Sequence, residues 1–487
     1  MSYIPRNNNH YSTFGELVTA EPTPIIQLAN QYSLDPTARE DLETFSATGG
    51  STDSSDNLFR CQTGTSVGGY GVIRSKDALV YRPGQAIESR FTGAFTTGIA
   101  TSLQFAGMFS LTETLAFGYD GADFSIIHEY DGKAEVQLIT VTATPSGSET
   151  ATVTLDGDAV SVSLTNSTVQ TNAFEIARDC AADATVGAKW RFEQIDDKVY
   201  CIAKSVGNKT GTMSFSSATA TATIAEQTAG VAKSSGNVAQ ASWNITTTPF
   251  TGFDPTNLNL YRIQFGYLGV ANATYSIFNP NTAQYVKVHT IKWAGNNTTP
   301  IVGNPDMKVG WTAASLGSSG TNLTTTGGSV YLAVQGKEVI NNSSRAFDNT
   351  KAGISTTLTN VLTIKNRVVY GDRFNLSRLV PVEVSVDNDH NKGAIVEIYK
   401  NATLAGTPNY QYVDQTNSIA LTDIAGTTVT GGTLVDSFTV AASGDSFEDL
   451  SKLKIILDPE DTLTVAVKTI SGTATNHTAS IVWLEEK

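Results

Sequence analysis

The chain has 487 residues and a formal net charge of −14, with 40% hydrophobic and 16% charged residues. That length exceeds what one hydrophobic core organises, so several domains are expected. The acidic balance, with no local cluster of Lys and Arg, argues against nucleic-acid binding, and abundant Thr, Ser, Asn and Gly favours strands and turns over helices.

Residues 1–55 read as an N-terminal docking arm and linker. Pro5, Pro22, Pro24 and Pro36 punctuate the segment, and the run at 48–55 has linker composition. Its scattered apolar residues, Phe14, Leu17, Ile25, Ile26 and Leu28, are the partner-docking candidates, because an extended arm can add to another protein's sheet or fill its grooves. No apolar run marks a secretory signal, and no stretch of 18 apolar residues predicts membrane insertion.

Residues 56–135 and 237–345 alternate apolar and polar positions with the strand period. Segments 59–62, 78–81, 87–91, 259–266, 273–278, 283–293 and 330–334 are predicted strands, so the two stretches form one split antiparallel β-sandwich. Residues 136–236 differ. Aromatics thin out, strands are expected at 137–142, 150–155 and 159–164 around an Asp156-Gly157 turn, and Val169, Ala173, Ile176, Ala177 and Cys180 recur at helical spacing after a cap at Ser167. Strands at 190–193 and 199–202 complete a small inserted α+β domain. Residues 346–487 hold predicted strands at 361–364, 380–386, 394–399, 455–457, 463–467 and 479–484, a second C-terminal β-sandwich. The fold class is therefore mainly β.

Site chemistry is sparse. Cys61, Cys180 and Cys201 have no metal-ligand spacing and read as packed thiols, with a Cys180–Cys201 bridge left open. The histidines do not pair at metal-binding spacing. Asp120 and Asp123 flank a glycine turn, where Asp is a good turn former, rather than forming the carboxylate pair of a glycosidase. Residues 387–391 resemble a cation loop but miss its glycine and glutamate positions. No catalytic residue, metal or cofactor is assigned, and the protein is expected not to be an enzyme. Among the aromatics Tyr119, Tyr267, Tyr275, Phe278 and Trp293, the possible glycan contacts are Tyr119, Tyr267 and Trp293, with core packing as their alternative role.

The run at 14–28, together with the segments at 90–98, 117–121, 263–269, 288–291 and 399–408, resembles structural proteins of tailed bacteriophages and of large DNA viruses of aquatic hosts. The insert looks like small domains embedded in phage virion proteins, and the sandwich pattern is similar to the jelly-roll of concanavalin-like lectins. The resemblance implies a virion structural protein assembled in the host cytoplasm. It would be a tail-fibre or appendage component, or a capsid-surface or head-fibre protein, or the virion's carbohydrate-binding or receptor-binding module. The partners it implies are other virion proteins, sister copies in a homotrimer and a host surface glycan.

Overall fold

The computed structural model describes residues 22–39, 41–317, 320–336, 343–371, 373–389, 391–453, 455–472 and 474–486. The chain divides into two compact units, Met1–Gly132 with Ala232–Ile340 and Lys133–Val231 with Asn341–Lys487.

The first unit is an antiparallel two-sheet sandwich. One sheet runs in the order Gln284–Ile291, Ala273–Asn279, Asn259–Phe265, Ile87–Phe95. The far edge of Ile87–Phe95 is shared by Ser329–Val334 and Thr324–Gly327, and Leu58–Gln62 and Ser51–Ser55 extend it. The other sheet centres on Asp123–Tyr130, Thr114–Asp120, Ser102–Phe109, Lys308–Ser315 and Tyr70–Ser75. Alternation sends Phe91, Phe95, Phe117, Phe124, Tyr261, Tyr275 and Trp311 between the sheets. Phe117 lies at its centre, 4.9 Å from the Tyr261 ring and 5.4 Å from Tyr275. Asp120 and Asp123 face each other across the hairpin and Gly121 takes φ 61°, the turn role read from their spacing.

The N-terminal arm differs from its sequence reading. Phe14 and Leu17 lie outside the described residues. Thr23–Ala29 is a strand that pairs with Ser329–Val334 of the same unit, and Ile26 and Leu28 are buried in that unit's own core with Ile25 packed against it. Ile25, Ile26 and Leu28 therefore complete this chain's own sheet and core rather than a partner's. The linker-like Ser51–Ser55 is also a strand, hairpinned to Leu58–Gln62 by Asp56 and Asn57 in the left-handed region.

In the second unit, residues 133–231 form two sheets with the helix Val169–Ala182 and a one-turn helix, Val186–Lys189. Lys133 and Val231 close the stretch by exchanging two backbone hydrogen bonds of 2.9 Å. The helix Val169–Ala182 buries Ala173, Ile176, Ala177 and Cys180. Its cap is Thr168 rather than Ser167, with the Thr168 hydroxyl accepting from the Thr171 N–H at 3.1 Å. The rest is a β-sandwich of a four-stranded and a six-stranded sheet around Trp483, Ile481, Val465 and Leu463. The insert docks on this sandwich. The Glu193 carboxylate accepts from the Val368 N–H at 3.0 Å and faces Lys365 Nζ at 3.4 Å, and the Tyr200 and Tyr412 hydroxyls meet at 2.9 Å.

All three thiols are free and buried, and burial pushes Cys180 up to about 12. They are packing groups rather than reactive ones. No helix among the described residues is long and apolar enough to cross a membrane.

Because Ile26 and Leu28 fill the first unit's core, Ile26→Ala and Leu28→Ala should each destabilise it by about 2–5 kcal/mol in chemical denaturation. A change within about 0.5 kcal/mol for both would restore the free docking arm.

Candidate functional site

The strands Ser102–Phe109, Thr114–Asp120 and Asp123–Tyr130 are buried on both faces, whereas the sheet through Ile87–Phe95 keeps half-buried and exposed residues on the face away from the core. In the first unit the strand register carries a transverse row across that outward face. Tyr331 pairs with Arg90, Arg90 with Arg262, Arg262 with Ser276 and Ser276 with Lys287. With neighbouring strands about 4.8 Å apart, Arg90 and Lys287 stand about 14 Å apart along the row. The adjacent outward row holds Glu88, Gln264, Thr274 and Thr290.

The row is braced. Glu88, almost wholly buried, pairs through one carboxylate oxygen with Arg90 and accepts from Gln264 Nε2 at 2.9 Å through the other. The Arg90 guanidinium lies 5.5 Å from the Tyr331 ring centroid, and that of Arg262 lies 4.4 Å from Tyr285. Phe278 packs edge-on to Tyr285 at 5.5 Å. The Arg90 side chain is 42% exposed and Lys287 is exposed. Arg262 is only 8% exposed, and burial holds its guanidinium below the usual arginine value. Its Nε and the Ser276 Oγ are shielded from solvent and have no hydrogen-bond partner. The face thus presents half-buried aromatic rings beside planar polar groups held in fixed directions.

Of the aromatics singled out from sequence, Phe278 lies on this face, and the three possible glycan contacts lie elsewhere. Tyr119 and Trp293 are buried in the sandwich core, and Tyr267 is half-buried, edge-on to Tyr81 at 5.1 Å. Buried Tyr119 and Trp293 present no platform to solvent. Tyr285 and Tyr331 were missed because neither belongs to a local motif. Their parity relative to the core residues Phe91 and Tyr261 was the available signal.

Trp293 instead anchors a loop. Its indole N–H donates to the Thr299 carbonyl at 2.6 Å, and His128 Nε2 lies 2.9 Å from the Ile301 carbonyl. Glu113 Oε1 accepts from the Gly303 N–H at 2.9 Å, while its buried Oε2 has no partner. Burial pushes the Glu113 carboxyl up to about 7, and burial lowers His128 below the ordinary histidine value. This cluster holds a loop against the sheet.

No family model and no curated protein matches the chain. Among solved structures, lectin II from Ulex europaeus is 8% identical with a TM-score of 0.23, covering 64% of this chain and 100% of the lectin. The lectin from Bauhinia forficata, solved in complex with GalNAc, is 11% identical with a TM-score of 0.21 over 64% of this chain and 99% of the lectin. The T13 IBDV viral particle is 10% identical with a TM-score of 0.15 over 84% of this chain and 74% of that one. These values assign no family, and the fold class rests on the sheets themselves.

Glu113 makes stability depend on pH. Its pKa is raised to about 7 from 4.5, so the folded state binds the proton more tightly than the unfolded chain. The stabilisation is complete below pH 4.5 and is lost as pH climbs through 7, a span worth roughly 3 kcal/mol. Glu113→Gln should flatten this slope and make the protein more stable than the parent at pH 8 in denaturant titrations. An unchanged slope would show that Glu113 is not its source.

Proposed function

We propose that this chain is a non-catalytic carbohydrate-binding protein and that the outward face around Arg90, Arg262 and Tyr285 holds the sugar. The observation that carries this reading is the braced row itself. A sugar offers an apolar C–H face beside directional hydroxyls. Half-buried Tyr285, Tyr331 and Phe278 match the first, and half-buried Arg90 and Gln264 with exposed Lys287 match the second. Rigid pre-orientation by Glu88 lowers the entropy lost on binding. The full-length chain should bind members of a glycan array. Tyr285→Ala should weaken that binding about ten-fold or more while circular dichroism stays that of the parent. A folded protein that binds no glycan on the array overturns the reading.

A second reading, a virion structural protein built from several copies, draws support from the C-terminal sandwich. Its consecutive edge strands Thr433–Val440 and Gly444–Asp449 carry exposed Leu434 and, at 57% exposure, Phe447. Open strand edges with exposed apolar side chains are places where another chain can add. A closed oligomer of sister copies, a trimer in the appendage reading, would cover them. Light scattering after size exclusion should then show an oligomer that Phe447→Asp dissociates. A wild-type monomer at micromolar concentration would remove this reading.

A further inference from the structure

We propose that Glu113 is a proton-operated latch for residues 301–304: its protonated carboxyl keeps the segment on the sheet, and ionisation raises the fraction of molecules in which it lifts away. The device is independent of what the protein binds. Residues 292–307 join the strand Gln284–Ile291 of one sheet to Lys308–Ser315 of the other. Ile301 and Val302 are fully buried, while Gly303 and Asn304 are half-buried. Pro300 and Pro305 bracket the segment and supply no backbone N–H at either end. Upstream, the Trp293 indole N–H holds the Thr299 carbonyl at 2.6 Å, and Ile301 is held by His128 and by the Gly269 carbonyl. Downstream, the Asp306 carboxylate accepts from the Tyr81 N–H at 2.5 Å, and the Met307 carbonyl accepts from the Leu79 N–H at 2.9 Å. Between these pins, Glu113 Oε1 accepts from the Gly303 N–H at 2.9 Å.

That middle pin changes with one proton. Glu113 is 2% exposed, and its Oε2 is shielded from solvent with no hydrogen-bond partner. An ionised carboxylate there keeps one oxygen without water or donor. Asp131 adds like charge. A Cβ placed on Gly303 would lie 3.0 Å from Glu113 Oε1 and 4.0 Å from Asp131 Oδ1, so both carboxylates border the same backbone. The nearby cation, Lys233, is engaged by Glu129 and Thr114. Burial first, with Asp131, raises Glu113 to about 7 against the opposing pull of the Gly303 and Asn304 N–H groups and Lys233. Lifting the segment brings water to the carboxylate and returns it toward 4.5. The protonated latch therefore favours closure in full below pH 4.5, loses its hold as pH rises to 7, and changes little above that. The His128 pin does not share this dependence. A carbonyl only accepts, so Nε2 carries a hydrogen and donates to Ile301 whether the ring is neutral or charged. Opening is thus confined to residues 302–304, and 299–301 stay in place.

Hydrogen exchange read by mass spectrometry on the full chain, between about pH 5 and pH 8.5, tests the latch when each peptide is normalised to its unstructured exchange rate. The expected result is opening of residues 302–304 that rises roughly ten-fold per pH unit up to about pH 7 and then levels off. Peptides ending at Ile301 and those over the strand Thr114–Asp120 should not follow it. Glu113→Gln should abolish the pH dependence of residues 302–304. Asp131→Asn, at a half-buried position, should bring the plateau to lower pH, because it removes the facing negative charge. Circular dichroism checks the folding of both variants, and Asp131→Asn carries the comparison if Glu113→Gln does not fold. Equal protection of residues 302–304 at both ends of the pH range overturns the proposal. So does a rise that Glu113→Gln retains, a plateau that Asp131→Asn leaves unmoved, or a rise shared equally by Thr114–Asp120, which would mark global unfolding instead of a local latch.

Discussion

The strand Ile87–Phe95 is the constraint on which the first unit depends. It pairs along one edge with Asn259–Phe265 and along the other with both Ser329–Val334 and Thr324–Gly327, so it ties together the whole sheet. Its odd-numbered side chains Ile87, Phe91 and Phe95 enter the core, where Phe91 stacks on Tyr261 at 5.6 Å. The period of two then leaves Glu88 and Arg90 no choice but the outer face. A slip of one residue would bury Arg90 and expose Phe91, a cost the core does not permit. The candidate ligand face is therefore the reverse side of the packing solution, and its geometry is as rigid as the core behind it.

The second unit uses polar contacts where the first uses aromatic ones. Glu193 is a fully buried carboxylate whose cost is met by the Val368 N–H and by Lys365. Asp196 donates its backbone N–H to the Tyr410 carbonyl, and Gln194 Nε2 reaches Asn409. Such contacts add less net stability than apolar burial of equal area, but they hold one docking geometry because a misplaced charge would lack its partner. That explains how residues 133–231, closed on themselves by Lys133 and Val231, form one compact body with a sandwich that begins more than a hundred residues later.

Much of the strand inventory was legible because alternation is local. The hairpin at Asp156-Gly157, the helix Val169–Ala182 and the strands Arg378–Asn388, Ala394–Lys400 and Thr475–Glu486 all announce themselves through period and turn residues. Other strands were hidden by composition. Lys308–Ser315 lies in a stretch rich in Gly, Asn, Ser and Thr, yet Trp311 makes it a central strand whose indole N–H bonds to the Thr92 carbonyl at 2.9 Å. Ser343–Ile354 is mostly exposed and lies at a sheet edge, so little hydrophobic pattern marks it. In contrast, residues 78–81 read as a strand but make a single bridge, Leu79 to Met307.

The sequence by itself determined the mainly β character, the change of texture at the insert and the turn role of Asp120 and Asp123, because each depends on neighbours within a few residues. Only the tertiary structure decided where the apolar arm residues go, since whether Ile26 and Leu28 meet a partner or Ser329–Val334 depends on strand pairing about 300 residues away. It also decided which aromatics face solvent and assembled a basic row that no stretch of sequence contains. Arg90, Arg262 and Lys287 become neighbours through register alone, and register is a property of the whole sheet.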